Sequence, residues 1–215
     1  MTQRQRFPVA AALVAACTAA CGTAAGPANS RATAPAPQAA APAARRANAA
    51  DVHFMSGMIH HHAQAIVMAG WSASHGASQA IRTLSERIIV SQTDEIRMMQ
   101  QWLREMGETA PEATPTGLRM RMGGQEHEML MPGMLGPEQM TQLDRARGAD
   151  FDRLFLTLMI QHHEGALTMV EELFASYGGG ADDFIYKIAS DTFADQGSEI
   201  DRMQRMLDAM APGGR

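Results

Sequence analysis

Asp51-Val-His-Phe-Met-Ser-Gly-Met-Ile-His-His-His-Ala-Gln-Ala-Ile-Val-Met68 recurs, without a gap, as Asp152-Arg-Leu-Phe-Leu-Thr-Leu-Met-Ile-Gln-His-His-Glu-Gly-Ala-Leu-Thr-Met169. Asp51, Phe54, Met58, Ile59, His61, His62, Ala65 and Met68 all have identical counterparts at this offset. Downstream, Gln92, Glu95, Ile96, Met99, Gln100 and Leu103 recur as Gln196, Glu199, Ile200, Met203, Gln204 and Leu207. Two matches in the same order, at nearly the same spacing, mark an internal duplication.

Each copy has the periodicity of two helices. Phe54, Met58, Ala65 and Met68 fall at the three- and four-residue spacing of one helix face. Asn48 is placed to cap that helix, and Asp51 puts a carboxylate in its first turn. Gly70 to Gly76 weakens the helix, and Ser78 can cap the next one, whose apolar stripe is Ile81, Leu84, Ile88, Ile96, Met99 and Leu103. Gly107 and Pro111 end it. The second copy repeats this pattern from about Ala149 to Ser176, then from Asp182 to Met210 after Gly178-Gly179-Gly180. No convincing strand is visible. The fold class expected is all-α, an antiparallel four-helix bundle of two duplicated hairpins with pseudo-two-fold symmetry. Repeat one spans 49–107, a linker 108–148 and repeat two 149–211.

The linker is rich in Gly, Pro and Met, with Met120, Met122, His127, Met129, Met131 and Met134, and Pro137 suits the start of a short helix to about Arg147. Thioethers two or three residues apart on a mobile loop can wrap a cuprous ion. They can equally pack over the end of the bundle.

Histidine and methionine carry the chemistry, at 8 and 18 residues. Adjacent helical residues diverge by about 100°, so one of each pair, His61-His62 and His162-His163, can face the bundle axis while the other flanks it. A pseudo-two-fold axis would bring two imidazoles together with the thioethers of Met58 and Met159. Imidazole with thioether favours copper, and thioether particularly favours Cu(I) over Cu(II). Glu95, Glu199, Gln92 and Gln196, with Asp51 and Asp152, are the groups expected to back the ligands by accepting ring N–H bonds. The competing reading is a structural network in which methionines fill the core and the histidines simply bond these carboxylates and amides. His53, His60 and His75 have no counterpart in the other copy and are expected at the surface.

The N-terminus reads as an export signal. Arg4 and Arg6 precede a short apolar run, and small residues lead into Cys17 and again into Cys21, the chain's two cysteines. This run is too short to span a membrane. Residues 1–21 are therefore read as a signal peptide with lipobox-like cysteines, either of which could carry a lipid anchor to the membrane. Residues 22–48, dominated by Ala, Pro, Thr and Ser, have few large apolar groups to offset ordering entropy and read as a tether. The expected location is the periplasm or the cell surface. A net charge of −5 gives no footprint for nucleic acid.

Met58-Ile-His-His-His62, Met159-Ile-Gln-His-His-Glu-Gly-Ala166, Gln92-x-x-Glu95-Ile-x-x-Met99 with Trp102-Leu103, and Met131-Pro-Gly-Met134 followed by Pro137-Glu-Gln-Met140 resemble the family called domain of unknown function 305. The likeness covers Asp51 to Met210, and Gln161 opposite His60 is a departure within the duplication. The resemblance implies a ferritin-like four-helix fold, export in many members and a link to copper in some. The expected function is copper binding for buffering, sequestration or tolerance, with a metal ion as ligand and a second copy or a copper-transfer protein as candidate partners. The alternatives are a ferritin-like metal-dependent redox enzyme and a metal-free helical module that binds a partner. No Glu-x-x-His of a di-iron site, no His-Glu-x-x-His, no Gly-x-Ser-x-Gly and no phosphate-binding glycine loop occurs, which argues against catalysis.

Overall fold

Four long helices in two hairpins account for most of the chain between residues 46 and 211, the span that this computed structural model describes. The expected signal peptide, with Cys17 and Cys21, lies outside the described residues. The first copy supplies α1 (Ala49–Gly70) and α2 (Gln79–Glu105), joined through a 3-10 turn at Trp71–Ala73. The linker holds β1 (Leu118–Met122), β2 (Gln125–Met129) and α3 (Pro137–Arg145), and the second copy supplies α4 (Gly148–Ala175) and α5 (Asp183–Ala209). The all-α class holds.

The helix boundaries follow local chemistry. Asn48 accepts the amide of Ala50 at 2.8 Å and Ser78 that of Ile81 at 3.4 Å, so both polar caps satisfy otherwise orphaned N–H groups. Asp182 does the same for Phe184 at the start of α5. The β-hairpin departs from the strand-free expectation. Gly123 and Gly124 both have positive φ, 60° and 84°, which suits the two-residue turn that matches strand twist. Leu118 and Met129 are paired at the hairpin's open end, and Met120 is paired with His127 within it.

The core is divided in two. One apolar cluster joins the first half of α1 to the end of α2, the second half of α4 and the start of α5, through Phe54, Met58, Leu103, Met169, Val170 and Ile185. The other joins the opposite halves, through Met68, Leu84, Ile88, Phe155, Met159 and Met203. This membership requires α1 to run antiparallel to α2 and to α4. Between the clusters lies a layer of buried polar side chains: His61, His62, Gln64, Gln92, His162, His163, Thr192 and Gln196.

Asp51 and Asp152, expected to back the metal ligands, have another task. Asp51 accepts the amide of Gly180 at 2.7 Å, in the turn before α5, and Asp152 accepts that of Ser78 at 3.1 Å, at the start of α2. Each carboxylate lies ten residues, about 15 Å of helix, from its histidine. Each ties the first helix of one copy to the hairpin turn of the other. His60 and His75 also correct the surface expectation. His60 is 7% exposed, with Nδ1 bonded to Thr114, and His75 is 5% exposed, with Nε2 donating to the Asp144 carbonyl at 2.8 Å.

Candidate metal centre

The polar layer is built around His61 and His162, equivalent residues of α1 and α4, whose ring centroids lie 3.8 Å apart. Their neighbours His62 and His163 flank them at 6.4 Å and 6.2 Å. All four side chains are fully buried. The adjacent-histidine pattern thus works as helical geometry dictates: one ring meets the axis, and the next turns towards the partner helix of its own hairpin.

Glu95 on α2 and Glu199 on α5 hold those flanking rings. His62 Nε2 lies 2.5 Å from Glu95 Oε2, and His163 Nε2 lies 2.8 Å from Glu199 Oε2. His61 Nε2 donates to the Pro132 carbonyl at 3.0 Å. A ring nitrogen that donates to an oxygen leaves the other nitrogen with a lone pair. The Nδ1 atoms of His61, His62 and His163 are buried without a hydrogen-bond partner, and so are both nitrogens of His162. Burial first, then the proximity of His62 and His163, lowers the His61 pKa from 6.5 to about 3, and burial with His61 nearby moves His162 the same way. The central rings are therefore neutral at physiological pH, the state a metal requires.

Unpaired buried nitrogens are costly, and carboxylate-backed histidines with free lone pairs have the donor chemistry of metal ligands. The donors are not assembled around one point, however. Among the described residues, no group of three or more His, Cys, Asp or Glu side chains stands ready to hold a metal ion. The rings of His61 and His162 lie against each other, tilted by 41°, instead of converging on a shared point. Met58 and Met159 are fully buried and belong to different apolar clusters, on either side of the layer.

The linker seals one side of the layer. The Met131-Pro-Gly-Met134 turn lies on α4 so closely that a Cβ on Gly165 would fall 2.0 Å from the Pro132 oxygen. Gln64, the α1 counterpart of Gly165, clamps Leu135 by accepting from its amide at 2.7 Å and donating to its carbonyl at 3.0 Å. Met131 and Met134 are 5% exposed, in the apolar core, and Met129 is exposed. The linker methionines that were candidate ligands therefore separate into two packed residues and one at the surface. For His127 the structure gives the strand position opposite Met120.

On the other side, α2 and α5 enclose a polar cleft of about 120 Å³ lined by Gln92, Glu95, Asp195, Gln196 and Glu199, with Arg87 at its edge. Gln92 and Gln196 are buried with amide atoms unpartnered, although they were expected to bond the histidines. Burial, then Glu95, Asp191 and Glu199, raises the pKa of Asp195. The Gln-x-x-Glu segments of both copies thus meet at one acidic opening behind the histidine layer.

The family model for the domain of unknown function DUF305 matches residues 51–207. The chain belongs to the DUF305 family. The same fold occurs in a DUF305 fragment from Deinococcus radiodurans, at 25% identity and TM-score 0.62 over 76% of this chain and 98% of that one. A DUF305 protein from Streptomyces coelicolor, classed as secreted, gives 26% identity and TM-score 0.59 over 75% and 91%. CopM, solved with silver bound, gives 25% identity and TM-score 0.53 over 73% and 93%. CopM solved with Cu(II) gives 24% identity and TM-score 0.58 over 75% and 97%. Among curated proteins, none matches the sequence.

Proposed function

We propose that this DUF305 protein is exported and binds copper, buffering or sequestering the ion, or passing it on, in the periplasm or at the cell surface. The observation that carries the reading is the buried layer of four neutral-capable imidazoles, five of whose ring nitrogens have no partner. CopM, similar in fold, was solved with Cu(II), Cu(I) and silver, which supports the same cargo here. His61, His62, His162 and His163 are the donors, with Glu95 and Glu199 holding the outer rings. Rotation of the touching His61 and His162 rings towards a shared ion is the rearrangement that binding requires. Met58, Met159, His127, Met129, Met131 and Met134 are the further soft donors of the reading. Processing at Cys17 or Cys21 would anchor the chain through a lipid.

The test is copper titration of wild type, of His62→Ala with His163→Ala, and of a variant with leucine at Met120, Met122, Met129, Met131 and Met134. Loss of the tightest copper in the histidine variant is expected. Unchanged binding in both variants would overturn the assignment. The acidic cleft beside Glu95 and Glu199 favours one alternative, a redox enzyme with a harder metal. Iron or manganese retained after purification, with peroxide or oxygen consumption, would establish it.

A further inference from the structure

A second set of soft donors lies away from the histidine layer, where the linker meets α1 and α4. His53 on α1, Met131 on the linker, and Met169 and Glu172 on α4 line one cleft of about 180 Å³, with Phe54 and Leu173 in its wall. His53 is exposed, whereas Met131 and Met169 are 5% and 6% exposed, so an imidazole stands at the mouth above two thioethers. Glycine makes the room. A Cβ on Gly57, one turn after His53, would lie 2.8 Å from the Met131 sulfur and 3.2 Å from the Met169 methyl.

The duplication supplies an internal comparison. The counterparts of His53 and Gly57 in the second copy are Leu154 and Leu158, both apolar. Where the second copy has a leucine pair, this copy has an imidazole and a glycine, and the two methionines close over that glycine. Packing alone explains buried methionines. It does not explain why the groove is hollow, open to solvent and headed by histidine.

We propose that this cleft is a second metal site, specific for a soft monovalent ion such as Cu(I) or Ag(I). The donors are the sulfurs of Met131 and Met169 and the His53 imidazole, and Glu172 is the carboxylate that offsets the ion's charge. Two thioethers and one imidazole discriminate against hard cations and against Cu(II) relative to Cu(I). The site deepens the copper reading, on which it rests, by giving the protein a solvent-facing position for the reduced ion, distinct from the buried histidine layer.

The test uses Ag(I), a redox-inert probe, added to the full processed chain carrying ¹³C-methyl methionine. The Met131 and Met169 methyl resonances should shift together with one equivalent of Ag(I). Met169→Leu, which keeps apolar volume, should remove that equivalent, and His53→Ala should weaken it. A Met169→Leu variant that binds as wild type, or methyl resonances unmoved by Ag(I), would overturn the site. Neither His53 nor Met169 belongs to the histidine layer, so failure here leaves the layer's copper binding standing. Failure of the layer, read from His62→Ala with His163→Ala, leaves this result standing in turn.

Discussion

His61 and His162 occupy the same position in the two copies and meet at a ring-centroid distance of 3.8 Å, each wholly shut off from solvent. Two imidazoles in contact and shut off from water cannot both become imidazolium cations, and His62 and His163 beside them add to that restriction. The stability of the metal-free protein should therefore depend on pH. Both central histidines have pKa values below the ordinary 6.5, so the unfolded chain binds more protons as the solution becomes acid. Stability should be complete above about pH 6.5 and fall steadily as pH drops towards 3. Urea unfolding at a series of pH values checks this, and a flat profile between pH 7 and 5 would contradict it.

Glu95 and Glu199 fix the outer rings through their carboxylates, and replacing both by glutamine keeps the shape but removes the charge. Copper affinity should fall by about ten- to a hundredfold, the effect of removing a carboxylate behind a ligating histidine. Competition against a chelator of known affinity measures it. Glu164→Gln, at an exposed position of the same helix as His163, should change nothing.

The two aspartates that link the hairpins should affect stability without touching metal. Asp51→Ala strips the Gly180 amide of its acceptor, and Asp152→Ala does so for Ser78. Each should cost about 1–3 kcal/mol, the penalty for an unmet buried donor. The two should add, because the N-terminal ends of antiparallel α1 and α4 lie at opposite ends of the bundle. Chemical denaturation gives the cost, and copper stoichiometry should remain that of wild type.

The seat of the linker depends on Gly165. A methyl there would collide with Gly133 and with the Pro132 carbonyl, which also accepts the His61 ring N–H. Gly165→Ala should destabilise the fold by about 1–3 kcal/mol. It should also release Met131 and Met134 to solvent, detectable as faster proteolysis of the linker.

Much of this organisation is legible in the sequence because duplication makes positions comparable. The recurrence of Met-Ile-x-His-His places His61 against His162, and the recurrence of Gln-x-x-Glu places Glu95 and Glu199 on the helices that face them. What breaks the symmetry is harder to read. Gln64 and Gly165 are counterparts with opposite roles, clamp and clearance, and only the path of the linker between α1 and α4 explains both. Gly123-Gly124 did offer a hairpin signal, since paired glycines accommodate the turn's positive φ angles, but the flanking Arg, Met and Glu side chains are weak strand formers. His60 and His75 lack counterparts in the second copy, so nothing in the duplication signals their burial. Both are buried through partners contributed by the linker, Thr114 and Asp144.

Copper bound in the histidine layer must engage the ring nitrogens that have no hydrogen-bond partner. ¹⁵N-histidine NMR of the reduced protein, recorded with and without one equivalent of Cu(I), observes those atoms directly and needs no substitution. Large shifts are expected at Nδ1 of His61, His62 and His163 and at a nitrogen of His162, while Nε2 of His62 and His163 keeps its hydrogen bond to Glu95 and Glu199. Copper bound with all four rings unchanged would contradict this assignment.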